Sequence, residues 1–179
     1  MRTNISVDST ENKLIMLFML DKMEIPLTEN NIIDICTSKN NWLEYMDCKD
    51  VLWQLQDVGF IYKTVDSEEE SRYNITIKGR NCLSEFYQKI RAHIREDITK
   101  FAKDNRMKFK RSQEYVSKYI KNADGSRTAI LKICDPLDTQ HKFEIKIKVA
   151  TRKQALNITN KWKEQAPLIY EYILENLGE

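Results

Sequence analysis

No stretch of this chain is apolar enough to cross a bilayer: the longest uninterrupted hydrophobic run, Leu14 to Leu20, falls far short of the ~20 residues a span needs, and Asp21 and Lys22 close it. The first residues carry no basic segment leading into an apolar core and a cleavage site, so no signal peptide is expected and the chain reads as cytoplasmic. Cysteine is sparse and scattered at Cys36, Cys48, Cys82 and Cys134, with no Cys-x-x-Cys pair and only His93 and His141 to help. A metal site draws several such ligands from close spacing, so no metal is expected and the thiols read as reduced and structural. With only four glycines there is no Gly-rich loop to cradle phosphates, and two histidines complete no Ser-His-Asp or Cys-His arrangement. No carboxylate pair lies in an evidently apolar setting either, so neither an enzyme nor a cofactor is expected.

What is present suffices for a folded protein. At 179 residues and 41% hydrophobic content the chain can bury one large core or two small ones. Its net charge of +2 conceals a split, because residues 1–88 hold 9 Lys and Arg against 15 Asp and Glu, while the remainder holds 20 against 12. The basic half therefore follows an acidic one, and basic side chains supply most non-specific affinity for nucleic acid.

Residues 10–80 show three helical patterns followed by two short strands. The first helix reads from Ser9 or Thr10, with Leu14, Ile15, Leu17, Phe18 and Leu20 covering most of its circumference. Ile25-Pro26-Leu27 breaks the pattern, and Thr28 caps a second helix through Ile32, Ile33, Ile35 and Cys36 that ends at Lys39-Asn40-Asn41. A third helix is expected from Asp47, with Val51, Leu52, Leu55 and Val58 as its buried stripe and Lys49, Asp50, Trp53, Gln54, Gln56 and Asp57 outward. Gly59 stops it and delivers the chain into Phe60–Thr64, which pairs with Tyr73–Ile77 across an acidic tip at 66–72. That order is the outline of a winged helix-turn-helix over residues 8–81.

Residues 82–179 read as a second lobe for dimerisation or an effector. A long helix carries Leu83, Phe86, Ile90, Ile94, Ile98 and Phe101; three antiparallel strands follow at Tyr115–Ile120, Thr128–Cys134 and Lys142–Val149, the first two joined through Asn122-Ala123-Asp124-Gly125. Thr151 then caps a helix and Pro167 opens another. The fold class expected is α+β.

The function expected from this outline is a DNA-binding regulator of transcription acting as a homodimer on double-stranded DNA. Lys49, Gln54 and Trp53 would lie near base edges in the major groove, with Lys63, Arg72, Lys78 and Arg80 at phosphates. Trp53 has a second reading, as filler at the edge of a small core beside Leu52 and Leu55. A second basic patch, Lys100, Lys103, Arg106, Lys108, Lys110 and Arg111, interleaves with Phe101, Phe109 and Tyr115; it suits phosphates and unpaired bases, or equally a solvated helix end running into a charged strand edge. Two alternatives stay open. One is a protein-protein interaction module with no nucleic acid, since Asp47, Asp50 and the glutamates of the tip would repel phosphates. The other is RNA binding by the second lobe, whose helix, three strands and helix match the order of a double-stranded-RNA-binding domain, with Thr151-Arg152-Lys153-Gln154-Ala155 at the helix start. No residue identifies an effector.

Asn12-Lys13-Leu14-Ile15-x-Leu17, Ile25-Pro26-Leu27-Thr28, Leu52-x-x-Leu55-x-x-x-Gly59-x-Ile61 and Tyr73-Asn74-Ile75-Thr76-x-x-Gly79 together resemble a family of bacterial proteins catalogued as a domain of unknown function and regarded as winged-helix and regulator-like. The resemblance extends over most of the chain and is firmest across residues 10–80. It implies a small cytosolic DNA-binding regulator, homodimeric, with a β-rich C-terminal part particular to the family; it assigns no catalytic or ligand residues.

Overall fold

The computed structural model describes residues 5–65, 70–135 and 141–178, and the chain divides into two compact units, Met1–Arg106 and Met107–Glu179. The division falls inside a helix. Both units mix helices with a three-stranded antiparallel sheet.

The first unit is wrapped around α1, Ile5–Met23, which starts ahead of the expected Ser9 or Thr10. Leu14 to Leu20 are all buried, so α1 has no solvent face along this stretch. Its end is turned by Glu24 at φ 55, and Leu27–Thr28 then forms β1, a two-residue strand too short for alternation to reveal. Thr28 also caps α2, Glu29–Asp34, accepting the Asn31 amide at 3.2 Å, as its side-chain type demands. A π turn at Ile35–Lys39 follows, and the Trp42 and Leu43 amides both donate to the Cys36 carbonyl, at 2.8 and 3.0 Å.

Helix α3 spans Tyr45–Asp57, two residues earlier than expected, with Glu44 rather than Asp47 at its N-cap. Its buried stripe is Cys48, Val51, Leu52 and Leu55, whereas Val58, expected on that stripe, is 46% exposed. The helix has already ended there. Gly59 adopts φ 74, its amide bonds to Gln56 O at 3.0 Å and the Phe60 amide to Leu55 O at 2.9 Å, the paired bonds of a Schellman end. Strands β2, Ile61–Val65, and β3, Ser71–Ile75, pair in antiparallel register from Ile61↔Ile75 to Val65↔Ser71, and β1 joins on the other side of β3, giving the order β1-β3-β2. Both strands are shifted from the expected limits. Thr76 ends β3 because its hydroxyl caps the next helix, α4, Ile77–Phe86, so Ile77 is helical and exposed. The tip residues 66–69 lie outside the described residues.

The single long helix expected from residue 82 is two. After α4 come a 3-10 turn at Tyr87–Lys89, extended backbone at Ile90, and α5, Ala92–Glu114. The break has a cause remote in sequence: Glu11 of α1 accepts both the Arg91 amide at 3.1 Å and Arg91 Nε at 2.8 Å, while Tyr87 packs edge-on to Phe18 at 5.3 Å. Leu83 and Ile90 can then both reach the core.

In the second unit β4, Tyr115–Lys121, β5, Arg127–Cys134, and β6, His141–Val149, form a sheet in that order, close to the limits that alternation predicts. His141 opens β6. Gly125 at φ 83 makes the β4–β5 turn. Leu131 and Ile133 of β5 pack with Trp162 and Ala166 of α6, Arg152–Leu177, and Trp162 Nε1 donates to Lys132 O at 3.0 Å. Thr151 and Gln154 close a reciprocal capping box at the start of α6. Pro167 does not open a separate helix. Helix α6 runs unbroken from Arg152 to Leu177 with Pro167 inside it, on the exposed side, where water can serve the carbonyl its missing N–H leaves free.

Two substitutions check this architecture by denaturant unfolding. A Cβ at Gly79 would overlap the Phe60 carbonyl oxygen and stand 2.9 Å from Ile75 Cγ1, so Gly79→Ala is expected to destabilise the first unit by about 1–3 kcal/mol. Pro167→Ala is expected to stabilise the second by up to about 3 kcal/mol, because alanine restores the helical hydrogen bond. No gain from Pro167→Ala would mean that a helix starts afresh at that residue.

Candidate interaction surface

Helical geometry sets what α3 can show to solvent. At about 100° per residue, the buried residues Cys48, Val51, Leu52 and Leu55 occupy one arc, and Tyr45, Met46, Lys49, Asp50, Trp53, Gln56 and Asp57 share the opposite one. Trp53 stands near the middle of that exposed arc at 67% exposure, with Met46 at 66% and Tyr45 at 54%. Core burial of Trp53 is therefore ruled out. The buried stripe leaves no room for it, since position 53 is turned away from Leu52 and Leu55 despite adjoining them in sequence.

Around these side chains the charge is negative. Glu44, Asp47, Asp50 and Asp57 are exposed, while Lys49 is bound to Glu29 at 3.3 Å and lies 5.9 Å over the Tyr45 ring. The Glu29 carboxylate, then Tyr45, hold the Lys49 ammonium above its ordinary pKa. Gln54 is half-buried on the flank, lining a hollow of about 210 Å3 with Lys13 and Phe60, about 100° around the helix from Trp53.

The residues expected at phosphates are largely engaged within the protein. Arg72 is 7% exposed and pairs with Glu70 at 3.0 Å, and Arg80 pairs with Asp21. Lys78 donates to Val58 O at 2.9 Å and lies 5.2 Å over the Phe60 ring. Lys63, exposed on β2, lies 6.0 Å over Tyr73. The structure thus brings Lys49 beside Trp53 but does not gather the set into one basic face.

The second basic patch is entirely helical, with no strand edge, because α5 continues to Glu114. Lys100 and Lys103 line a cleft of about 560 Å3 with Tyr87 and Arg95. Arg106 pairs with Glu24 at 2.6 Å and Lys110 more loosely with Glu114 at 3.8 Å, whereas Lys108 and Arg111 are exposed. Arg95 escaped the sequence reading, because an arginine five residues before the run carries no spacing signal. Tyr45 and Met46 escaped it because the start of α3 was placed too late. In the second unit Arg152 Nε donates to the Tyr119 hydroxyl at 3.1 Å, while Lys153 is exposed.

The four cysteines are free thiols. Cys36 and Cys48 are fully buried, and the hydrogen bond between them, with burial, pushes the Cys36 thiol well above its usual range. Burial also raises Cys82.

Removing the carboxylate beside Lys49 checks the electrostatics of α3. Glu29→Gln is expected to lower the Lys49 pKa toward the ordinary lysine value, read by NMR titration of the ammonium group, because the charged form loses its main partner. An unchanged titration would show that the pair does not persist in solution.

Searches of the curated proteins and of the solved structures each found no significant match. One family model does match, described as a domain of unknown function (DUF4364), over residues 12–177. That span takes in both sheets and nearly all of the helical framework, and the chain belongs to this family.

Proposed function

We propose that the first unit is a winged-helix module and that its third helix docks a protein partner, with no enzymatic role. The winged-helix reading is supported by the succession α1, β1, α2, α3, β2, β3 and by the strand order β1-β3-β2, in which the hairpin follows α3 directly. Docking of a protein is carried by one observation, the exposure of Trp53 at the centre of the outer arc of α3. A solvated tryptophan on the same arc as Tyr45 and Met46 is the side-chain chemistry of an interface anchor, which gains by entering a partner's apolar pocket. The rim of Glu44, Asp47, Asp50 and Asp57 selects a partner surface rich in Lys and Arg and opposes a phosphate backbone.

A second reading, a dimeric DNA-binding regulator of transcription, draws on the position of Lys49 next to Trp53. The pair Lys49–Glu29 is about half exposed, and such pairs contribute little, so phosphate can compete for the lysine.

The two readings part in a salt titration with duplex DNA, alongside a screen of arrayed amphipathic peptides rich in Lys and Arg. Protein docking predicts no saturable duplex binding at low salt, and peptide binders whose signal is lost in Trp53→Ala while unfolding stability stays within about 0.5 kcal/mol. Duplex binding that falls steeply with salt and is abolished by Lys49→Glu would overturn it in favour of the regulator.

A further inference from the structure

We propose that the cleft between the 3-10 turn and the start of α5 is a binding site for a phosphorylated small molecule, separate from the face of α3. Three cations line it, Arg95, Lys100 and Lys103, against a single carboxylate, Glu96. Lys100 and Lys103 are exposed and form no ion pair among the described residues, unlike Lys49, Arg72, Arg80 and Arg106, each held by a carboxylate. Elsewhere in this unit Lys22, Lys63, Lys78 and Lys89 lie over aromatic rings rather than beside acids, but none of them stands in a cleft with two further cations as Lys100 and Lys103 do.

Arg95 is held in place but only weakly bonded. Its guanidinium lies over the Tyr87 ring at 4.6 Å, its Nε is buried without a hydrogen-bond partner, and its NH1 makes only a long contact of 3.4 Å to Gln88. The buried Nε is out of a ligand's reach, so it is the terminal nitrogens that a phosphoryl oxygen would meet, and phosphate is an acceptor that the planar guanidinium fits well. Stacking on Tyr87 fixes the plane of the fork before a ligand arrives. Lys100 and Lys103, one turn apart, have Cβ atoms about 5–6 Å from each other, so their flexible ammonium groups can share two adjacent phosphoryl groups.

The ligand class follows from what else the cleft offers. The hollow, of about 560 Å3, lies open to solvent, so it can admit a small ligand without enclosing it. The Tyr87 ring is already covered by Arg95 on its face and packed against Phe18, so it is no free platform for stacking a base. Recognition therefore rests on the phosphates, and a diphosphate suits three cations better than one phosphate does.

Calorimetric titration of the full chain tests this, using inorganic pyrophosphate and, separately, orthophosphate, with ionic strength matched by chloride. Saturable pyrophosphate binding is expected, tighter than that of orthophosphate. The exposed pair substituted together, K100E/K103E, should weaken it by at least about tenfold with an unchanged melting profile, and R95K, which keeps the charge but loses the fork, by severalfold. Trp53→Ala should leave it unaffected. Failure of pyrophosphate to saturate, or equal affinity in K100E/K103E, would overturn the site. So would duplex DNA that binds through these lysines and is not displaced by pyrophosphate, since the nucleic-acid backbone would then be the ligand.

Discussion

The constraint on which the first unit turns is the absence of any polar side chain between Leu14 and Leu20. A helix of that composition has no face to give to water, so it must be enclosed on every side. The enclosure is supplied by α3, α4 and β3, which all pack against α1. Each of these spends its own apolar stripe inward, and α3 does so with Cys48, Val51, Leu52 and Leu55. The orientation of α3 follows, and with it the exposure of the opposite arc. Trp53 is thus outside by geometry, as a consequence of what Leu52 and Leu55 must do.

A second constraint acts at the corner where α3, β2, β3 and α4 meet. The Phe60 carbonyl accepts the Thr76 amide at 2.9 Å and the Thr76 hydroxyl at 3.1 Å, and the same hydroxyl takes the Gly79 amide at 3.0 Å. One threonine therefore ends a strand, caps a helix and ties both to the end of α3. Two glycines make the corner feasible for different reasons. Gly59 adopts a positive φ that side-chained residues rarely hold, while Gly79 lets the backbone of α4 approach that of Phe60 more closely than any Cβ would allow.

Where the controlling interaction is local, the sequence discloses the structure. The Thr28 and Thr151 caps, the stop at Gly59, the Asp-Gly turn and the alternation of β4, β5 and β6 are all read correctly from neighbours a few residues away. Where the interaction is distant, the sequence is silent. The pairing of β1 with β3 joins Leu27 to Tyr73, and the break before α5 depends on Glu11 holding Arg91. Pro167 misleads for another reason: a proline penalises a helix interior without forbidding it, and the packing of Trp162 and Ala166 just before it is enough to carry the helix through. The candidate site follows the same division. That α3 would present Lys49 and Trp53 is legible from helical spacing, but the partners of Lys49, Arg72 and Arg80 come from tertiary contacts, and these decide which charges are free.

The distribution of free charge then separates two kinds of surface on one unit. Around α3, acidic side chains outnumber the one lysine, and that lysine is already satisfied, so what remains to drive association there is the apolar area of Trp53, Met46 and Tyr45. Along the start of α5, Lys100, Lys103 and Arg95 form no ion pair among the described residues. Apolar burial is not screened by salt, whereas attraction between exposed charges fades beyond about 8–10 Å at ordinary ionic strength. A ligand at α5 must therefore be small and come close, and a partner at α3 must bring shape and apolar surface. Because the α3 arc is rimmed by carboxylates and the α5 cleft by ammonium groups, an anion drawn to the second is repelled by the first. The two surfaces can be occupied at once without competing for the same ligand.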